Sequence, residues 1–562
     1  MLTILISWII IGSVFLAFGD MLVFLWNKVT KKKERYSTFD TFWLGLCMVG
    51  GFTILISLFL PLSIYISVAL VIVSTIYWVA NNGKAIRLAK KGWNYLLSLS
   101  IGMKIVLFFL LSMIMIRSVQ SMICPDFILY HEQTMKWAEQ FSVVPGLGNI
   151  HGRLAFNTSV HLIITLFNYH PDFFEPFYTI NSLAVAVFTI WLAGRIDKLK
   201  SWLAIIAMFL LYYYLFLING TFFSSTSSDV LQGLIIMYVL FSCLFDIKSF
   251  CSRRLILCLL PVFCITCKLS SAPIVLISLA VLIFFIKEKK YKNVIFLICV
   301  GSLIVIPWVV RFVILSGYLV YPFPDIDIFS FDWKMPIESV IEEKSWAYTW
   351  ARIPNAPTEE VLAMPLLEWV SVWLDHSALF VIVAYAMALL SPIFFLILCF
   401  RKIKENILYL LLLATVYIGS LYACLAPDIR FGFGFIFTAA VMPFVRSDFK
   451  IFTIKKKFVR IAVYTVFLLI FFNNIMIIGQ RQVKFLQDPA TPLWTLIYKP
   501  QSFEYQKSMN KNTYSKKETN NMYMYVPDIG LVYDMPLPTA LHFNDKLEMR
   551  GKTFQDGFRV KK

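Results

Sequence analysis

A polar island, Cys124 to Ser159, interrupts a chain that is otherwise mostly apolar. It begins Cys124-Pro125-Asp126-Phe127-Ile128-Leu129-Tyr130-His131. It continues through Trp137, Val144-Pro145-Gly146 and His151-Gly152-Arg153-Leu154-Ala155-Phe156-Asn157. An acid, a phenol, imidazoles, a guanidinium and an amide are groups suited to proton transfer and anion binding. A charged residue at mid-bilayer costs roughly 2.5–3.5 kcal/mol on insertion scales, so a carboxylate at the mouth of an apolar helix is the first candidate for chemistry. Asp126, Tyr130, Gln133 and Trp137 recur at i, i+4, i+7 and i+11, one stripe of a helix. The helix would start near Pro125, a favourable first-turn residue. Facing a cavity, Asp126 would be a base or a cation ligand. As a helix cap it would need only its own backbone. The spacing accommodates both readings.

The elements that must position these residues follow from composition. The chain has 562 residues, 59% of them hydrophobic, 52 of them Phe, with a mean hydropathy of +0.74. Charged residues make up 15%, against about 25% in soluble domains. An all-α polytopic membrane protein is expected, with about fourteen spans judged by length and apolarity. The expected spans are 3–26, 41–59, 61–80, 103–119, 177–194, 202–218, 229–247, 255–267, 272–287, 293–315, 377–400, 407–426, 430–445 and 459–479. The net charge of +18 resides in short Lys/Arg clusters between apolar runs. That is the pattern of cytoplasmic loops rather than of a nucleic-acid surface. Lys28 to Arg35, Lys84 to Lys91, Arg195 to Lys200, Lys248 to Arg254, Lys287 to Lys292, Arg401 to Lys404 and Arg446 to Arg460 all fall on one side.

Both termini then belong outside, with the outer loops 120–176 and 316–376. The membrane domain is 1–479, and 480–562 is a small extracytoplasmic tail. Tyr-Met-Tyr-Val and Gly-Leu-Val-Tyr in that tail read as short strands. Trp369 and Trp373, four apart, suit a helix lying in the membrane interface. The first apolar run lacks a cleavage site and reads as a span rather than a signal peptide. Of the ten cysteines, Cys264 and Cys267 have CxxC spacing but no second ligand pair, and zinc needs four ligands.

Cations at outer span ends are Arg153, Lys268, Arg311 and Arg430. The planar fork of Arg suits phosphate. Arg311 could equally snorkel to headgroups, and Arg430 could pair with Asp428. Tyr318 follows Ser316-Gly317 beside Arg311. Four of the six histidines, His131, His151, His161 and His170, share the outer loop 120–176 and could hold a divalent cation with Asp126 and Asp172. No HxxxH-like spacing supports this, and no cofactor is firmly implied. Asp229, after a Ser/Thr run, reads as a helix cap.

The order Asp-x3-Tyr, a helix ending at Trp137, then Val144-Pro145-Gly146, resembles the first outer loop of GT-C glycosyltransferases. The nearest in style are the lipid A aminoarabinose transferases and the protein O-mannosyltransferases. The resemblance covers the island and the overall topology. Phe127 stands where many relatives have a second acid, and His151-Gly152-Arg153 stands near the place of their Lys-Pro-Pro. The chain is also similar to multi-span proteins of bacterial surface-polysaccharide loci. The resemblance implies a polytopic enzyme of the bacterial cytoplasmic (inner) membrane. Its donor would be a polyprenyl-phosphate sugar lipid and its acceptor an envelope glycan or lipid. Asp126 would be the catalytic acid and Tyr130 its neighbour. His151, Arg153, Asn157, Lys268, Arg311, Tyr318 and Arg430 are the candidates for substrate binding.

Glycosyl transfer needs a base for the acceptor and cations for the leaving phosphate. A polysaccharide polymerase or ligase is the alternative and would rely on arginines. A lipid-linked oligosaccharide flippase or other transporter would need polar residues at mid-span, where these spans carry almost none.

Overall fold

The structure is a computed structural model. It describes residues 1–119, 126–168, 177–198, 223–445 and 514–562, apart from isolated positions within them, together with Leu211 and scattered positions of 458–476. The expected spans at 202–218 and 459–479 lie mostly outside the described residues. So do Cys124, Pro125, His170, Asp172 and most of Gly-Leu-Val-Tyr.

Among the described residues the protein is predominantly helical, with the long apolar helices of a membrane protein. Among the described residues eight helices are long and apolar enough to cross a membrane, from Leu2–Thr30 to Leu408–Leu425. They rise to nine if the bent pair Ile64–Ala80 and Asn82–Leu97 is one span. Three expected spans are shorter apolar helices, Ile180–Ile196, Arg254–Cys267 and Ile429–Phe444. Arg254–Cys267 is buried along most of its length, as befits an apolar helix surrounded by others. Helices such as Ile101–Ser118 and Leu379–Glu405 present large apolar side chains outward, Phe108 (67% exposed) and Ile397 (65%) among them.

Lys84 to Lys91, expected as a loop, is helical. Asn82–Leu97 turns 95° from the preceding span. Lys84, Arg87, Lys90 and Lys91 alternate at helical spacing with Ile86 and Trp93, which makes a helix suited to the interface.

Polar contacts gather the connecting segments at two ends of the bundle. At one end Tyr238 donates to Asp40 Oδ1 (2.9 Å), Arg253 pairs with the same carboxylate, and Arg254 forks onto Glu288 (2.8 and 2.6 Å). Phe39 packs on Tyr95 there, and Asp197 accepts the Ser100 N–H (2.8 Å). At the other end the island joins three segments. Leu62 N–H donates to Ala138 O and Gly146 N–H to Ile314 O, both at 2.8 Å. Phe558 N–H of the tail donates to Pro145 O (2.9 Å). Gly146 has φ +65°, and a Cβ there would meet Phe558 O at 2.1 Å, so only glycine fits. Trp137, Leu147, Trp308, Met524 and Phe558 share one apolar cluster. The tail carries two antiparallel pairs, Tyr514–Glu518 with Tyr523–Pro527 and Leu547–Met549 with Phe558–Val560.

Trp369 and Trp373 do lie on one helix, Leu366–His376. They face inward. Trp369 is buried under Arg352, and Trp373 Nε1 donates to Pro427 O (3.2 Å). Leu366 and Leu367 take the outward face instead.

Candidate functional site

Asp126 begins a five-residue π-turn, Phe127–His131, closed by Glu132 N–H to Phe127 O. The α-helix Glu132–Gln140 follows. One extra residue in a turn rotates everything beyond it by about 100°. The stripe expected from spacing is therefore broken. Asp126 and Tyr130 line a cavity. Gln133 instead donates to Met535 O (3.0 Å), and Trp137 packs on Phe554 and Phe558. The Asp126 side chain makes no capping hydrogen bond, so the capping role does not describe it.

The cavity is about 430 Å³. Asp126, Tyr130, Arg153, Asn157, Lys268 and Arg430 all line it, although they come from four separate stretches of chain. Asp126, one-third exposed, stands 3.7 Å from Arg430 Nη1 and 4.0 Å from Arg153 Nη1. Both separations exceed hydrogen-bonding distance. The carboxylate thus lies in the field of two cations without being capped by either. Each cation is anchored elsewhere. Arg430 is gripped by Asp428 Oδ2 through Nε (2.9 Å) and Nη2 (2.7 Å), Arg153 Nε donates to Glu343 Oε1 (3.1 Å), and Lys268 pairs with Asp229. Such anchoring fixes cation geometry before a ligand arrives.

Asn157 and Trp308 are tied reciprocally, Asn157 Nδ2 to Trp308 O and Trp308 Nε1 to Asn157 O, both at 2.7 Å. His131 is buried, hydrogen-bonded to Thr226 Oγ1 at 2.7 Å, with its ring centroid 4.3 Å from that of His161. Burial, reinforced by Lys268, Arg153 and Arg430, pulls its pKa down to about 3. His131 is therefore neutral at pH 7 and contributes no charge to the site. Among the described residues no cluster of three metal-ligating side chains occurs.

Three expected ligands lie outside this lining. Arg311 is buried in the span Tyr291–Ser316 and donates Nη1 to Ser57 Oγ (2.9 Å), tying two helices together. Tyr318 donates to Met335 O (3.1 Å) inside the loop core. His151 is held neutral, at about 3, first by burial and then by Arg153 and His542. Cys264 and Cys267 are buried free thiols.

Sequence reasoning missed Glu343 and Trp346, which line the cavity from the helix Ile337–Arg352. Burial raises the Glu343 pKa, and the adjacent Arg153 opposes the shift. The available signal was a charge on an apolar stripe: Val340, Glu343, Ala347 and Trp350 recur at helical spacing. The helix cap expected at Asp229 lies elsewhere. Ser227 holds that position, accepting from Asp229 N–H (3.3 Å), which leaves the Asp229 carboxylate for Lys268.

Fold and site together define a helical membrane protein with a charged, aromatic-walled cavity at one end of its bundle. Residues 1–437 match the family model described as Domain of unknown function (DUF8201), and the chain belongs to that family. The match contains every residue lining the cavity, from Asp126 to Gly432. No curated protein and no solved structure matches the chain.

Proposed function

We propose that the protein is an integral-membrane glycosyltransferase of the GT-C type. It would move a sugar from a polyprenyl-phosphate-linked donor to an envelope glycan or lipid acceptor. The site would face the outer side of a bacterial cytoplasmic membrane, with both termini on that side. The observation that carries this reading is Asp126 poised between Arg153 and Arg430 in an apolar-walled cavity. A base needs an unoccupied lone pair near the acceptor hydroxyl. The leaving phosphate needs cations whose positions are set beforehand.

In this reading Asp126 takes the acceptor proton and Tyr130 walls the cleft beside it. Arg430 and Lys268 offer N–H donors to the phosphate. Neutral His131 leaves that charge balance unaltered at pH 7. A polymerase or ligase acting on a lipid diphosphate would use the same cations without needing the acid. The test is incubation of the protein in envelope membranes with a polyprenyl-phosphate hexose labelled in the sugar. Release of polyprenyl phosphate matched by labelled product supports the reading. Failure across a panel of hexoses, pentoses and amino sugars overturns it.

A further inference from the structure

We infer that the helix Ile337–Arg352 is a positioning arm, whose Glu343 and Trp346 clamp Arg153 so that its Nη1 edge faces Asp126. The consequence for activity rests on the transferase reading. The clamp itself rests on geometry alone. Glu343 and Trp346 lie three apart, on one face of the arm. Glu343 Oε1 accepts from Arg153 Nε at 3.1 Å. The guanidinium carbon stands 4.0 Å from the Trp346 ring centroid and 5.7 Å from that of Tyr130. Trp350 backs Trp346 in a stack, 5.2 Å between centroids and 18° between planes.

A guanidinium held at Nε and stacked on an aromatic face loses most of its rotational freedom. The edge left over is the one that approaches Asp126, at 4.0 Å. Gly152 makes room for the arm. A Cβ there would stand 3.3 Å from Glu343 Oε2 and 3.0 Å from the Tyr321 hydroxyl oxygen. The arm thus delivers two side chains to a residue that precedes them by almost two hundred positions, and through it sets the surroundings of the acid.

The test uses the full chain in lipid nanodiscs, with two readouts. Hydrogen exchange at the amides of 340–352 should rise by about tenfold in both Arg153→Ala and Glu343→Ala, the effect of losing one charge-assisted hydrogen bond. Unchanged exchange there overturns the clamp whether or not any sugar is transferred. Transfer from the polyprenyl-phosphate hexose supplies the second readout. The double variant Arg153→Ala, Glu343→Ala should lose no more kcat than Arg153→Ala alone, because Glu343 acts through Arg153. Losses that multiply overturn the positioning role. Glu343→Gln, which keeps an acceptor for Arg153 Nε, should recover most of the kcat lost in Glu343→Ala. If Arg153→Ala fails to accumulate, Arg153→Lys replaces it, since lysine keeps the charge and loses both the Nε bond and the planar stack. A parent without transfer, but with the exchange response, retains the arm and sinks the transferase reading instead.

Discussion

Arg430 holds Asp428 at hydrogen-bonding distance and Asp126 just beyond it: 2.7 Å to Asp428 Oδ2, 3.7 Å to Asp126 Oδ2. The two carboxylates therefore do different work. Asp428 fixes the guanidinium, and Asp126 feels its charge while keeping lone pairs open to a ligand. Short surface ion pairs would say little, but this one closes a cavity wall. It also separates Arg430 from Arg311, which resembled it in sequence and instead serves the joint between two helices.

Arg430→Ala should raise the KM for donor by about 10–100-fold, the usual worth of a hydrogen bond to a charged group. Arg430→Lys should recover part of it, since a point charge does not reproduce the two-pronged contact. Arg311→Met should leave KM unchanged, because Arg311 does not line the cavity and its Nη1 serves Ser57 of a neighbouring helix. Donor titration of the three variants checks both statements. An Arg311→Met variant with the KM of Arg430→Ala contradicts the assignment.

Glu132 makes stability depend on pH. It is buried, accepts the Tyr178 hydroxyl at 2.7 Å, and burial pushes its pKa up to about 7. An unfolded glutamate ionises near 4.3. Between these values the folded state keeps a proton that the unfolded state has released, so stability falls as pH rises and levels off above about 7. Glu132→Gln keeps the acceptor for Tyr178 and does not titrate. Its melting temperature should match the parent at pH 4.5 and exceed it at pH 8. Equal melting curves at pH 8 contradict this.

The tail is fastened by packing more than by charge. Phe558 is fully buried, its ring centroid 5.7 Å from that of Trp137. Lys136 and Asp534 form a partly exposed ion pair at 2.5 Å. Phe558→Ala should cost about 3–5 kcal/mol, and Lys136→Ala about 1 kcal/mol or less. Thermal unfolding followed by limited proteolysis of 514–562 measures the order. The reverse order contradicts it.

The island, the loop 316–376 and the tail meet at one end of the bundle, so they share one side of the membrane. Cysteines introduced at Asp325 and Lys552, in a chain freed of exposed Cys251 and Cys299, should both react with an impermeant reagent in intact cells. Reaction of one without the other contradicts the packing. Reaction of neither until lysis reverses the orientation.

How much of this was legible in the sequence depended on the range of the signal. The expected spans that fall on described residues coincide with helices, because long apolar runs report burial locally. The helix Asn82–Leu97 was hidden by its own lysines, which look like a loop when counted rather than phased. The grouping of polar residues in the island was legible, and Asp126, Tyr130, Arg153, Asn157, Lys268 and Arg430 do converge on one cavity. The π-turn was not, since an extra residue in a turn leaves no composition mark. Glu343 was missed for another reason, although its phase with Val340, Ala347 and Trp350 was there to be read. It adjoins Glu342, and only the packing of Val340 decides which of the two points inward.

The most direct measurement is the transfer rate of Asp126→Asn against the parent at equal abundance. Asn keeps the size and polarity of the side chain and removes only the charge and the basic lone pairs. A positioned base is worth about 10²–10⁴-fold in rate, so transfer should fall by that factor, with folding and KM for donor little changed. Transfer at the parent rate by Asp126→Asn would contradict the central claim, and would leave the arginines of the same cavity as the basis of function.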